Sequence, residues 1–219
     1  LEVDAEHGPD PGSEEAQHVR TGTDPLLVEE GSDGVQVRVD TPGGVLPADA
    51  QVSLVDPKQS EADALVSPTP LSTAAAAGDP LRPAIITRAQ WGADESLRSR
   101  GPIYTGTIRA GFLHHTASST SYSQDQAAAQ VRALYAYFTL SLGYSDIAYN
   151  FFVDRFGRLY EGRAGGMDRN VLGGHTAGFN ENTFAVAAIG DFDTTKPNAT
   201  DYAAIQESVS KLFAWKFAL

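Results

Sequence analysis

Cysteine is absent from the 219 residues. Its absence removes disulfides, thiolate nucleophiles and Cys-ligated metals from what these residues can do. Aromatic side chains are absent from the first 90 positions: all 10 Phe, 8 Tyr and 2 Trp fall between Trp91 and Phe217. Aromatics supply much of the buried area of a core, so the two parts of the chain are read separately. Positive charge is scarce in the same place. Residues 1–83 carry 16 acidic and 4 basic side chains and residues 84–219 carry 12 of each, so the whole net charge of −12 sits in the first part. Neither part offers the extended basic surface that nucleic-acid phosphates need. No apolar run approaches the roughly 18–20 residues that span a bilayer. The opening Leu1-Glu2-Val3 carries neither an initiating Met nor a signal peptide, and an upstream piece is expected.

What is present divides the chain in three. Residues 1–58 are an acidic segment with a partial β module: 1–31 read as solvated chain, while Val35 to Asp40 and Gln51 to Asp56 alternate apolar and polar around Pro42-Gly43-Gly44, as strands do. Two strands alone are marginal in water, which makes them the expected edge of a larger sheet. Residues 59–83, with Pro68-Thr69-Pro70 and Ala74 to Ala77, read as a linker. Residues 84–219 read as an α/β domain. Its strand candidates are 110–114, 150–154, 159–161 and 184–189, short and rich in β-branched or aromatic residues. A helix is expected to open near Ser123, with Gln126 as its capping-box partner, to bury Val131, Leu134, Tyr135 and Phe138, and to stop at Gly143. A second is expected after Pro197-Asn198, burying Tyr202, Ile205, Val209, Leu212 and Phe213 and still running at Leu219.

Two of the five histidines, His7 and His18, lie in the acidic lead-in and are expected to be solvated. His114 and His115 end a strand, at the edge where α/β folds place ligands. Neighbours on a strand face opposite ways, so one of the two can face a given site; the plainer alternative is one imidazole against the core and one in water. Gly162-Arg163-Ala164-Gly165-Gly166 lacks the Lys-Ser/Thr of a phosphate loop and reads as turns. Glu161 reads as a surface carboxylate.

Five runs in order carry a family resemblance: Ile86-Thr87-Arg88-Ala89-Gln90-Trp91-Gly92-Ala93; Phe112-Leu113-His114-His115-Thr116-Ala117; Asp146-Ile147-Ala148-Tyr149-Asn150-Phe151-Phe152-Val153-Asp154; Tyr160-Glu161-Gly162-Arg163; and Gly174-His175-Thr176-Ala177-Gly178-Phe179-Asn180. Residues 84–219 thereby resemble the peptidoglycan recognition proteins and the zinc-dependent N-acetylmuramoyl-L-alanine amidases that share their fold. The acidic lead-in resembles, more weakly, accessory regions of secreted actinobacterial members. The resemblance implies a mixed central sheet flanked by helices, a secreted or cell-wall location, and muramyl peptides of peptidoglycan as partners. It implies His114 as a Zn2+ ligand, Tyr149 as the catalytic group beside the metal, and His175 and Asn180 as substrate contacts. Arg163 would face the substrate's peptide carboxylates, and His115 would be structural. In zinc-binding members the remaining ligands, a His and a Cys or Asp, follow the final helix. No histidine follows His175 here, and Asp191 and Asp193 belong to the turn after a strand. The expectation is therefore an amidase as the parent protein, cleaving between N-acetylmuramic acid and L-alanine, with the missing ligands beyond Leu219 and this chain a weak metal binder without activity. The alternative is recognition without cleavage.

Overall fold

The computed structural model describes residues 7–20, 22, 23, 25, 28, 32–41, 43–46, 48, 50–66 and 81–219. The Pro- and Ala-rich stretch of the expected linker, 67–80, lies outside them, as do Pro42 and parts of the acidic lead-in.

Five strands form one mixed sheet: β1 (Ile85–Ile86), β2 (Ala110–His115), β3 (Phe151–Val153), β4 (Leu159–Glu161) and β5 (Thr183–Ala188), in the order β1-β4-β3-β5-β2. Every neighbouring pair is parallel except β3 with β4. That exception is a hairpin, and its turn is held from inside. The fully buried Asp154 carboxylate accepts the N–H groups of Phe156 at 3.0 Å and Arg158 at 2.8 Å and the Tyr160 hydroxyl at 2.9 Å, and pairs with the Arg158 guanidinium. Helix α1 (Arg88–Trp91) is a single turn closed by a capping box, in which Thr87 accepts from the Gln90 N–H and Gln90 accepts from the Thr87 N–H. Gly92, at φ 76°, ends it.

Alternation along the strands fills two cores. Phe152, Ala185 and Ala187 pack with Trp91, Val131 and Leu134 on the side of α2 (Ala127–Ala136), while Phe151, Phe184 and Val186 pack with Ile205, Val209, Leu212 and Trp215 of α3 (Ala199–Ala218) on the other. Gly111 in β2 is set by α3: a Cβ there would lie 2.6 Å from the Phe213 ring.

Several expectations shift. The helix placed at Ser123 begins at Ala127, because Ser123 to Gln126 form a turn in which the Gln126 amide oxygen accepts from the Ser123 N–H at 2.9 Å. After Ala136 it widens into a π turn over Tyr137–Ser141, where the Thr139 hydroxyl donates to the Tyr135 carbonyl at 2.8 Å. In α3, Ile205, Val209 and Leu212 are buried as expected, but Tyr202 is 57% exposed. The two strands expected at 35–40 and 51–56 do not form. Val37 and Val39 are each 53% exposed and Leu54 72%, because no strand among the described residues covers either face or takes up the backbone hydrogen bonds. The expected linker opens instead on a 3-10 turn, Glu61–Leu65, whose buried Asp63 pairs with Arg132 of α2 at 2.6 Å. No helix among the described residues is long and apolar enough to cross a membrane.

Candidate functional site

The sheet sends three chain segments to one place. Strand β2 delivers His114 at its next-to-last position, the stretch before β3 delivers Tyr149, and the loop before β5 delivers His175. The resulting contacts are short: His114 Nε2 lies 3.3 Å from His175 Nδ1, and the Tyr149 ring is centred 5.4 Å from that of His114. Phe112, two positions back on the same face of β2, stacks on His114 at 5.9 Å. Thr176 Oγ1 sits between the imidazoles, 2.7 Å from His175 Nδ1 and 3.2 Å from His114 Nε2. Burial, reinforced by the neighbouring imidazoles, drives the pKa of His114 down to about 4 and that of His175 to about 3. Both rings are therefore neutral at pH 7, the state in which imidazole binds a metal or shares one proton with a partner.

Asn180 is fully buried and works on the His175 loop from within. Its Oδ1 accepts the N–H groups of His175 at 2.8 Å and Thr176 at 3.0 Å, and these bonds fix the imidazole's direction. Arg163 is buried as well. Its guanidinium donates to the carbonyls of Ile147 at 2.9 Å and Leu172 at 3.1 Å, so it ties the Tyr149 stretch to the loop leading to His175. Glu161, read as a surface carboxylate, is half-buried and accepts the Arg88 N–H at 3.0 Å, away from the imidazoles.

His115 faces the other way. Its Nδ1 accepts the Phe192 N–H at 3.0 Å, and its Nε2 is 3.5 Å from Asp193. His115, Asp191 and Asp193 are, among the described residues, the one group of three or more His, Cys, Asp or Glu whose ligand atoms lie within 4.8 Å of one another. One imidazole nitrogen is already taken there, and Asp191 accepts from Asp193 and Thr194 in its own turn.

The zinc implied by the resemblance can be tested against these donors. Two nitrogens each about 2.0–2.1 Å from a tetrahedral zinc are about 3.3–3.4 Å apart, and the His114 and His175 pair has that spacing in the neutral form. A catalytic zinc needs three protein ligands; among the described His, Asp and Glu, no third joins this pair.

Three residues of the acidic lead-in also reach the site, and sequence reasoning missed them. The His7 ring is exposed, as expected, yet its edge reaches the site, centred 5.4 Å from that of His114. Asp10 accepts from Gly178 and Asn180, and Glu15 pairs with Arg163. No periodicity marks them, since each contact is a single side chain meeting a donor far away in sequence. Thr176 was missed too, although it stands beside His175 within a quoted motif.

Comparison with known proteins agrees with this architecture. A family model described as N-acetylmuramoyl-L-alanine amidase matches residues 104–217. The chain is 32% identical over 120 residues to peptidoglycan-recognition protein SC1a/b of Drosophila simulans, a match covering 52% of this chain and 60% of that protein. It is 31% identical over 127 residues to peptidoglycan recognition protein 4 of Homo sapiens, covering 58% of this chain and 32% of that one. Among the insect relatives the match spans 58–65% of their length. Human PGRP-IBETAC, solved in complex with glycosamyl muramyl pentapeptide, superposes with a TM-score of 0.51 at 30% identity over 61% of this chain and 77% of that one. The ectodomain complex of PGRP-LCa and PGRP-LCx bound to tracheal cytotoxin gives 0.52, at the same identity and coverage. With the family model spanning β2 to α3 and His114 meeting His175 where those motifs converge, the chain belongs to the N-acetylmuramoyl-L-alanine amidase family.

Proposed function

We propose that the region between His114 and Arg163 binds the muramyl peptides of peptidoglycan. The observation that carries this reading is the set of carboxylate-binding donors beside the imidazole pair: the Arg163 guanidinium, the Ser145 N–H and hydroxyl, and the Gly178 and Asn180 N–H groups all bond carboxylate oxygens. A peptide stem ending in carboxylates suits such donors, and the muramyl-pentapeptide complex of the human relative supports the choice. Half-buried Phe112 offers an aromatic edge, while Asn180 and Arg163 hold the loops in register. The reading places the protein outside the cytoplasm, where peptidoglycan lies. Isothermal titration with a muramyl pentapeptide should give saturable binding that Asn180→Ala weakens; heat indistinguishable from dilution with the site open would remove this reading.

A second reading, hydrolysis of the amide between N-acetylmuramic acid and L-alanine, is favoured by one observation: two neutral imidazoles at zinc-ligand spacing beside a tyrosine. His114 Nε2 would hold the ion with His175 Nδ1, which was expected to contact substrate rather than zinc, and with a third ligand that the described residues do not supply. Zinc bound there would lower the pKa of a water ligand to about 7 and polarise the scissile carbonyl. Tyr149, its ring centred 5.4 Å from that of His114, would donate a hydrogen bond to the developing oxyanion, a role whose loss costs on the order of 10²–10³ in rate. His114→Ala should abolish zinc retention, measured by elemental analysis, together with release of peptides bearing free amino-terminal L-alanine from digested wall. Fragments that keep the muramyl–alanine bond in wild-type digests would leave recognition alone.

A further inference from the structure

The segment from His7 to Arg20 is attached to the site at four points. At one end the His7 ring meets His114 edge-on at 5.4 Å. Next, Gly8 and Asp10 engage the His175 loop: the Gly8 carbonyl accepts from Asn180 Nδ2 at 2.9 Å, and Asp10 Oδ1 accepts from the Gly178 N–H at 2.7 Å and from Asn180 Nδ2 at 2.9 Å. Then Glu15, 7% exposed, accepts from the Ser145 N–H at 3.0 Å, its hydroxyl at 2.8 Å and both terminal nitrogens of Arg163. Finally the Arg20 N–H donates to the Leu142 carbonyl at 2.8 Å.

This is not the behaviour of an acidic tail held by net charge. The folded part is neutral by count, so no long-range field pulls the segment in. Burying a carboxylate costs several kcal/mol unless its lone pairs are taken up, and the Glu15 carboxylate meets four donors. Asp10 likewise meets convergent N–H groups on the wall that presents His175. The donors satisfied by the segment are those that a carboxylate-bearing peptide would use.

We propose that residues 7–20 are an intramolecular acidic-peptide ligand of this site, which sets His7 against His114 and fills the two carboxylate-binding positions until the segment is displaced. What displaces it, a muramyl peptide with its own carboxylates, rests on the function proposed above; the closure itself does not. While docked, the segment lowers the apparent affinity of any ligand of the site by the fraction of molecules that are open.

The test uses the full chain with Asp10→Ala and Glu15→Gln together, two positions outside the imidazole site. Diethyl pyrocarbonate modification of His114, located by mass spectrometry, should run at least tenfold faster in the variant, and hydrogen exchange at the Gly178 and Asn180 amides should quicken by a similar factor. A synthetic peptide of residues 7–20 added in trans should reverse both changes. Titration with muramyl pentapeptide should bind the variant at least tenfold more tightly than the wild type. If His114 reacts equally fast in both chains, the closure is wrong. If His114 opens and the variant binds the pentapeptide no more tightly than a wild type that does bind, the segment does not compete and the proposal fails. If His114 opens and neither chain binds the pentapeptide, the functional reading fails and the closure stands. Should the double variant unfold, Asp10→Ala alone leaves the Glu15 and Arg163 pair intact and carries the same readouts.

Discussion

Two stretches of the same acidic lead-in behave in opposite ways. Residues 35–40 and 51–56 have the alternation of β-strands and lie mostly open to water, with Val37 at 53% and Val52 at 61% exposure. Residues 7–20 have no periodicity and are seated on the folded domain, with Gly8, Pro9 and Glu15 buried. Alternation prepares one face for burial but supplies no partner, and with no covering strand among the described residues the apolar side chains of both runs stay largely exposed. Docking of 7–20 needs no apolar face. It needs two carboxylates and one carbonyl at the right separations, matched to donors that the domain leaves pointing outward. Hydropathy patterns therefore mark the wrong stretch, and single-residue complementarity marks the right one.

The comparison breaks most severely at Arg163. Replacing it with Ala leaves the Glu15 carboxylate without its charge partner and frees the Ile147 and Leu172 carbonyls. Breaking a buried pair from one side costs about 3–5 kcal/mol, and urea unfolding at pH 7 should show a loss of that size. A loss below about 1 kcal/mol would mean that 7–20 is undocked in solution and no more engaged than 35–56.

Gly143→Ala should cost less and report on docking directly. Gly143 sits at φ 75°, where an L-residue costs about 1–2 kcal/mol, and an added Cβ would also lie 2.5 Å from the His18 carbonyl of the lead-in. The substitution should therefore both destabilise the domain and push the segment away. Repeated in the Asp10→Ala, Glu15→Gln background, only the backbone part of about 1–2 kcal/mol should remain. Equal costs in the two backgrounds would show that His18 does not press on Gly143.

The same contrast explains what could be read in advance. Strands β2 to β5 were legible to within a residue or two because short β-branched and aromatic runs bounded by turns have few other ways to bury themselves. Helix α3 was legible from the Asn198 cap and the spacing of Ile205, Val209 and Leu212. Strand β1, two residues long, and the single turn α1 carry too little pattern to be seen. At the site, the motifs pointed to His114, Tyr149 and His175, but their meeting depends on how one strand and the stretches leading into two others are brought together. The structural duty of Asn180, fully buried behind His175, was invisible because an amide in a Gly-rich loop looks the same whether it faces a ligand or its own backbone.

Acid should separate the two stretches with a smaller and graded effect. Burial pushes the Glu15 carboxyl up, but the Arg163 charge and the hydrogen bonds from Arg163 and Ser145 outweigh it and leave the pKa below the ordinary 4.5. A depressed carboxyl pKa favours docking fully above pH 4.5 and loses that contribution as pH falls through the lowered value. At the other end His114, held neutral down to about pH 4 by burial and by His7, regains its ordinary 6.5 when exposed, so protonation favours the open form below that pH. Both act in one direction. Amide NMR signals of Gly178 and Asn180 should be unchanged between pH 8 and 7, begin to shift below about 6.5 toward those of the Asp10→Ala, Glu15→Gln chain, and move furthest below 4.5. Signals from 35–41 should not follow. Shifts that track only the upper window would leave Glu15 out of the docking.

The smallest effect is expected where the sequence pattern was strongest. Val37→Asp and Val52→Asp each place a charge on a side chain more than half in water, where substitutions change stability by at most about 0.5 kcal/mol. On a paired strand the same changes would put a carboxylate on the buried face and cost several times that. Urea midpoints within error of wild type are therefore the expected result for both variants. A loss above about 2 kcal/mol in either one would mean that the alternating runs find a covering partner in solution, and that periodicity had marked a real strand after all.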